Sequence, residues 1–249
     1  MIDVAIDAAR QAGLLALKYF KSQPKVSYKA DNTPVTRADK EAELLIRKIA
    51  AQKFPDHGVI GEEFEPTNPQ ARFKWVIDPI DGTKSFIRGI PFWSTLLAVM
   101  ENGRPIIGIC FFPALDEIYI AQKGKGAFLN DKRIKVSKVA KLENAFISHG
   151  GIEAFEKRGQ LKGFLELIKA VQCDRGFGDA FGYALVAQGK IDAFFEGGNK
   201  IHDIAAPSIM IQEAGGKFTD LSGKFSLTSG SDVATNGLLH NQVIKILNS

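Results

Sequence analysis

The sequence predicts a mixed chain of α/β (α+β) class whose two parts differ in rhythm. Three observations carry this. Two segments with apolar residues at helical spacing open the chain, and short apolar runs broken by Gly, Pro and Asn follow them. Past residue 142, strand-like and helix-like segments alternate. The short runs predict a largely antiparallel sheet, and the alternation predicts an α/β region.

Residues 2–20 predict a helix, with Val4, Ala5, Ala8, Ala12, Leu15, Ala16 and Tyr19 near a 3.6-residue period. A polar connection, SQPKVSYKADNTP, comes next. Thr36 reads as the N-cap of a second helix ending near Pro55, with Asp39 as the acidic half of a capping box. GVIGEE, KWVID, STLLAVME, RPIIGICFF, EIYIAQ and GAFLN then read as strands. In the second part NAFISHG reads as a strand, residues 152–170 as one helix and CDRGF as a short strand. AFGYALVAQG reads as helix, KIDAFFE as strand and HDIAAPSIMIQEAGG as helix. A soft boundary near residue 142 divides one compact unit into an N-terminal half, 1–142, and a C-terminal half, 143–249, with no linker able to separate independent domains.

No apolar run approaches the roughly 20 residues that span a bilayer. MIDVAIDAARQAG carries aspartates where a secretory signal would be basic, and Cys110 and Cys173 form no disulfide framework. Both features predict a reducing cytoplasm. The net charge of +4 is mild. Its one basic stretch, residues 123–141, lacks a nucleic-acid motif and reads as a solvated face of strands and turns, so no nucleic-acid or membrane partner is expected.

Three acidic clusters fall at junctions between predicted elements: GEE at 61–63, DPID at 78–81, and HDIAA with Asp203. Oxygen donors without His or Cys at ligand spacing suit Mg²⁺, Mn²⁺ or Ca²⁺ rather than Zn²⁺. Each acid also has a plainer reading. Asp78 and Asp81 could shape a turn, Asp203 could cap a helix and Glu62 could be a solvated loop residue. Neighbouring motifs fail. An EF-hand starting at Asp78 would need acids where Ile80 and Gly89 stand. The D-x-D-G-T of haloacid-dehalogenase-type phosphatases is one residue shorter than DPIDGT. GFGDAFG at 176–182 misplaces the last glycine of a dinucleotide fingerprint.

GEE, WVIDPIDGTKSF and HDIAAPSIMIQEAGG, in this order and spacing, resemble the inositol monophosphatase family of metal-dependent, lithium-sensitive phosphatases. PVTRAD, GKGAFLNDKRIKVS and FEGGNKIHD extend the resemblance over nearly the whole chain. One residue departs: the family usually has Trp before the last aspartate, and here it is His202.

The resemblance implies a layered αβαβα sandwich, usually homodimeric, that hydrolyses a small phosphorylated metabolite. Glu62, Asp78 and the carbonyl of Ile80 would hold one Mg²⁺, and Asp78, Asp81 and Asp203 a second. Two or three ions are expected in all, with Mn²⁺ able to substitute. Gly82 and Thr83 would face the phosphate. Thr83, Asp39 and Glu62 would be catalytic, Thr83 and Asp39 positioning a water that the cations acidify. The substrate wall would comprise Asp81, Gly178, Asp179, Ala180, Glu196 and Asp203. Lys84-Ser85, and Gly-Asp-x-x-Gly-Tyr at 178–183, resemble the family's histidinol-phosphatases, which serve histidine biosynthesis. An acid such as Asp179 would pair with the histidinol amine; its plainer reading is an N-cap. The alternatives are an inositol-1-monophosphatase, a broad-specificity sugar or nucleotide phosphatase, and a regulatory protein on the same scaffold. His149, His202 and His240 read as structural or surface residues, with His202 beside the site.

Overall fold

The computed structural model of the chain describes residues 1–20, 26–28 and 34–249. Two helices open it, α1 (Ile2–Phe20) and α2 (Arg37–Lys53), with a short antiparallel pair between them, β1 (Val26–Tyr28) and β2 (Pro34–Thr36). The rest of the predicted polar connection lies outside the described residues. Thr36 caps α2 as the sequence predicts: its hydroxyl accepts the Ala38 N–H, and Asp39 accepts the Thr36 N–H.

Seven strands follow: β3 (Gly58–Gly61), β4 (Phe73–Asp81), β5 (Ser94–Glu101), β6 (Arg104–Phe112), β7 (Glu117–Gln122), β8 (Gly126–Leu129) and β9 (Lys132–Ile134). They form one sheet in chain order, antiparallel throughout except for the β3–β4 pair. A short helix, α3 (Thr83–Ile87), separates β4 from β5. The sheet is buried on both faces, so its strands read as near-continuous apolar runs. Trp75, Ile77, Leu97, Val99, Ile107 and Ile109 point at α1 and α2. Val76, Leu96, Ala98 and Cys110 point the other way.

The second half supplies what covers that other face. Its elements are β10 (Phe146–His149), α4 (Ile152–Lys157), α5 (Leu161–Ala170), β11 (Cys173–Arg175), α6 (Asp179–Ala187) and β12 (Ala193–Gly197). They continue with α7 (Ile201–Glu213), β13 (Lys217–Thr219), β14 (Ser231–Thr235) and α8 (His240–Leu247). The strands form a mixed sheet in the order β11-β10-β12-β14-β13. Helices α6 and α7 lie between the two sheets, and α4, α5 and α8 pack outside the second through Phe155, Phe164, Leu167, Val243 and Leu247. The layers therefore run α, β, α, β, α, the sandwich that the resemblance implies.

The helix predicted over 152–170 is two helices. Gly159 adopts φ 71° after α4, and its N–H and that of Gln160 turn back to Glu156 and Phe155. A left-handed glycine of this kind ends a helix. The charged side chains of the 123–141 stretch lie on exposed strand and turn positions, as expected of a solvated face. No helix among the described residues is long and apolar enough to cross a membrane.

Helix α7 touches the first sheet so closely that β6 needs a glycine there. A Cβ on Gly108 would lie 2.5 Å from Ile209 Cγ2 and 2.6 Å from the Ala206 carbonyl oxygen. At the far end of α7, the Glu213 carboxylate accepts the N–H groups of Gly124 and Gly126 in the β7–β8 turn, at 2.7 and 2.8 Å.

His240 starts α8 in a buried position, and its two ring nitrogens meet the hydroxyls of Thr219 and Thr235 at 2.9 and 3.0 Å. Burial pushes its pKa down to about 4. The unfolded chain therefore binds a proton from about pH 6.5 downward that the folded chain refuses. Stability is expected to fall as pH drops from about 6.5 to 4, and this slope should shrink in His240→Gln. Urea titrations of both proteins at pH 7 and 4.5 check it; equal pH dependence in the two would refute it.

Candidate active site

Strand β4 does not stop before DPID. It runs through to Asp81, with its register against β5 broken between Asp78 and Asp81. Side chains three apart on a regular strand point to opposite faces. The irregularity re-aims one of them, and both carboxylates line one cavity of about 310 Å³. The turn reading of these two aspartates is thus corrected. Thr95 Oγ1 donates to the Pro79 carbonyl at 2.9 Å and so ties the irregular segment to β5.

Glu62 follows β3 into the same cavity, on a loop fixed from below. Buried Glu43 of α2 accepts the Glu63 N–H at 2.7 Å and pairs with Arg47 at 2.7 Å. A Cβ on Gly61 would fall 1.9 Å from Glu43 Oε1, so glycine alone lets this carboxylate approach. Gly82 and Thr83 follow Asp81 on the cavity wall. Gly82 has φ 78°, and a Cβ there would sit 3.1 Å from the Phe92 carbonyl oxygen and 3.2 Å from Asp179 Oδ2. The Thr83 hydroxyl donates to the Ile80 carbonyl at 3.0 Å.

Asp203, in the first turn of α7, accepts the Lys200 N–H at 2.6 Å and faces the acids of β4. It sits three residues past the cap rather than in it. Oxygens of Asp78, Asp81 and Asp203 all lie within 4.8 Å of one another. So do ligand atoms of Glu62, Asp78 and His202. Asp78 belongs to both groups. Residues distant in the chain thus converge at the junction of the two sheets' layers.

Burial, then Glu62, Asp81 and Asp203, raise the Asp78 carboxyl well above its ordinary range. Burial and Asp179 do the same for Asp81, although the Ala180 N–H, 2.9 Å from Asp81 Oδ2, opposes the shift. Carboxylates crowded this way stay ionised when a cation sits among them. Oxygen-rich donors at this spacing suit a hard divalent ion, so the residues fit a metal.

Asp39 lies behind the cavity rather than on its wall, 1% exposed. Its Oδ2 accepts from the N–H and hydroxyl of Thr36 at 2.8 and 2.6 Å, while Oδ1 has no hydrogen-bond partner among the described residues. Burial lifts this carboxyl to about 6, and Glu62 adds to the rise. The capping role is therefore real but leaves one oxygen unused.

Asp179 and Glu196 line the same cavity. Asp179 takes φ 56°, uncommon for a residue with a Cβ, and makes no cap hydrogen bond to α6. The N-cap reading of Asp179 fails, and strain of this kind clusters at binding sites. Burial and Asp203 raise its carboxyl, with Lys84 pulling the other way. Burial and Asp179 push Glu196 up to about 8. Gly178 and Ala180 do not line the cavity: the Ala180 side chain is buried and its N–H is committed to Asp81.

Three further residues were given no role from the sequence, although Tyr183 and Asn199 lie within the quoted motifs. Buried Asp232 of β14 accepts from the Tyr183 hydroxyl, and Asn199 Nδ2 donates to Asp232 at 2.8 Å and to the Tyr183 oxygen at 3.0 Å. This network backs the wall that carries Glu196. Burial lifts Asp232 to about 7. No motif surrounds Asp232 in the sequence, so only the β12–β14 pairing opposite Glu196 brings it to light.

Known proteins share both chain and fold. A histidinol-phosphatase of Mycobacterium tuberculosis is 38% identical over 247 residues, covering 97% of this chain and 95% of that protein. One from Streptomyces coelicolor is 40% identical over 233 residues, 90% of this chain and 87% of its own. The solved structure of the Thermotoga maritima IMPase superposes with a TM-score of 0.90 at 35% identity, covering 99% of this chain and 96% of that one. The family model described as "Inositol monophosphatase family" matches residues 1–249 from end to end. With the acids of DPIDGT and Asp203 gathered in one cavity, this chain belongs to the inositol monophosphatase family.

Proposed function

We propose that this protein is a Mg²⁺-dependent phosphomonoesterase whose substrate is L-histidinol phosphate, with Mn²⁺ able to replace Mg²⁺. The observation that carries the reading is Asp78, shared by two groups of ligand atoms in a cavity that two more acids, Asp179 and Glu196, also line. Glu62, Asp78 and the Ile80 carbonyl would hold one cation, and Asp78, Asp81 and Asp203 another. Bound there, the cations clamp the phosphate, offset its charge and acidify the attacking water.

The chain's own groups orient the reaction. The N–H groups of Gly82 and Thr83 face the phosphate. The Thr83 hydroxyl exchanges its bond to the Ile80 carbonyl for the water, and Asp39, whose Oδ1 has no partner among the described residues, assists Thr83 in positioning it. Water adds to phosphorus as the ester P–O bond breaks, and the leaving oxygen departs as the alcohol after taking up a proton. Glu62 holds the water's side of the cavity, and Asp81 and Asp203 also border the substrate.

Histidinol phosphate carries an amine, and the cavity offers two acids outside both donor groups, Asp179 and Glu196. Two relatives named histidinol-phosphatase, at 38% and 40% identity, support the same substrate. Asp179 is the proposed partner of the amine, with Glu196 beside it. The site draws Glu62, Asp78 and Asp81 from the half ending near residue 142 and Asp203 from the other half. Free Cys110, buried, and free Cys173, half-buried, suit the proposed reducing cytoplasm. The homodimer stays part of the proposal, and light scattering on the eluted protein tests it.

The deciding experiment is phosphate release from histidinol phosphate and inositol 1-phosphate, with wild type and Asp179→Ala. Wild type should prefer histidinol phosphate in kcat/KM. Loss of a charge-assisted hydrogen bond should cost Asp179→Ala about 10- to 100-fold on histidinol phosphate and far less on inositol 1-phosphate. An equal loss on both would remove Asp179 from amine recognition.

A further inference from the structure

We infer that His202 supplies a nitrogen ligand to the cation held by Glu62 and Asp78, so that this position favours Zn²⁺, Co²⁺ or Mn²⁺ over Mg²⁺. The inference rests on the reading above, that the acids of the cavity hold cations.

The geometry comes first. His202 lines the cavity and is 8% exposed, so its ring is largely buried beside the acids. One of its ring nitrogens joins carboxylate oxygens of Glu62 and Asp78, all within 4.8 Å of one another. That spacing leaves room for one ion between three donors. The partner it has within the protein is weak: Nε2 lies 3.4 Å from Asp203 Oδ1, too long for a good hydrogen bond, and no other polar contact satisfies the ring among the described residues. A buried imidazole with donor capacity to spare, aimed into a cluster of carboxylates, is placed to bind a cation.

Position in the fold makes the arrangement firm. His202 and Asp203 are successive residues at the start of α7, and they serve the two different donor groups that share Asp78. The helix that bears them is held against the first sheet at Gly108 and by Glu213. The nitrogen is therefore presented by a fixed element rather than by a loop.

The chemical consequence follows from ligand type. Carboxylate, carbonyl and water suit Mg²⁺, whereas imidazole suits Zn²⁺ and its neighbours in the first transition row. Mg²⁺ binds nitrogen poorly and keeps its waters. A site with two carboxylates, a carbonyl and an imidazole thus differs in kind from the all-oxygen group of Asp78, Asp81 and Asp203. One cavity would hold one nitrogen-containing position and one hard oxygen position.

The test uses the full-length protein stripped of metal, with Mn²⁺ as the paramagnetic probe and histidine labelled with ¹⁵N. Pulsed EPR on the Mn²⁺ complex should show a histidine-nitrogen coupling that changes with the label. The coupling should vanish in His202→Gln and in Glu62→Gln. Chelator competition should find Zn²⁺ bound about tenfold or more weakly by His202→Gln than by wild type, with Mg²⁺ affinity changed less than about threefold. Stoichiometric Mn²⁺ without nitrogen coupling in wild type would overturn the inference and leave the oxygen site intact. Coupling that persists in His202→Gln would assign it to another histidine and overturn it too. No stoichiometric Mn²⁺ at all would sink both this inference and the metal-site reading. The wild-type label experiment needs no variant, so absence of coupling overturns the inference even if His202→Gln folds poorly.

Discussion

Asp78→Asn should lose at least about a thousandfold in kcat at saturating Mg²⁺, while its metal-free form melts no lower than wild type. Asp78 is the one side chain common to both donor groups, so its loss cripples two cation positions at once. Its carboxyl is buried and crowded by Glu62, Asp81 and Asp203, which raise its pKa. A carboxylate in that state costs stability at neutral pH when no cation is present. Asn keeps the shape and removes the charge. Wild type should gain thermal stability on adding Mg²⁺, because binding the folded state alone raises the midpoint. Asp78→Asn should gain little. Turnover within tenfold of wild type, or an undiminished Mg²⁺ shift, would take Asp78 out of the centre of the site. Asp203→Asn should follow the same pattern, through one donor group instead of two.

Gly108→Ala is the substitution expected to harm the fold most for a single added carbon. The new Cβ would meet Ile209 Cγ2 at 2.5 Å, the Ala206 oxygen at 2.6 Å and Ala206 Cα at 3.2 Å. Two of these three atoms are backbone, which does not swing aside as a side-chain tip would. Helix α7 must retreat from β6, and overpacking of this kind costs about 2–3 kcal/mol. In a chain of this length that lowers the melting temperature by roughly 5–10 °C. His202 and Asp203 ride on the same helix, so activity should fall alongside. Gly151→Ala is the control: φ there is −64° and nothing lies within 4 Å of the new carbon. It should change stability by about 0.5 kcal/mol or less. Equal melting of the two variants would mean that α7 has slack against the sheet.

Much of the site could be read from the sequence because its chemistry is concentrated in short segments. DPIDGT puts two acids, a left-handed glycine and a threonine in six residues, and each of those residue types has a reason to be there. The strands were legible too, since β4, β5 and β6 are buried on both faces and read as unbroken apolar runs, whereas the αβαβα layering was implied only by the family resemblance. What stayed hidden depends on pairings across the chain. Glu43 looks like any helix glutamate until the Glu63 N–H docks on it. Asp232 gains meaning only beside Tyr183 and Asn199. His202 had no second histidine at ligand spacing, and its ring lies near Glu62 and Asp78, well over a hundred positions earlier. The split between α4 and α5 was missed because the pattern does not say which of Gly159 and Gly163 will turn left-handed. Strands β13 and β14 and helix α8 were not anticipated either; at 3, 5 and 8 residues they are too short for periodicity to establish.

The seat of α7 on the first sheet also sets the order in which the molecule can be made. The central part of that sheet's inner face, with Val76, Leu96, Ala98, Cys110 and Phe112, has left the ribosome once β6 ends at Phe112. Its cover, α7, ends at Glu213, about 100 residues later. At ordinary synthesis rates the face waits roughly 5–20 s for its helix. During that interval the nascent chain carries a bare apolar surface and a half-built acidic cluster, without Asp203 or His202. Catalytic competence thus arrives in one late event, and the same event ends the chain's most aggregation-prone stage.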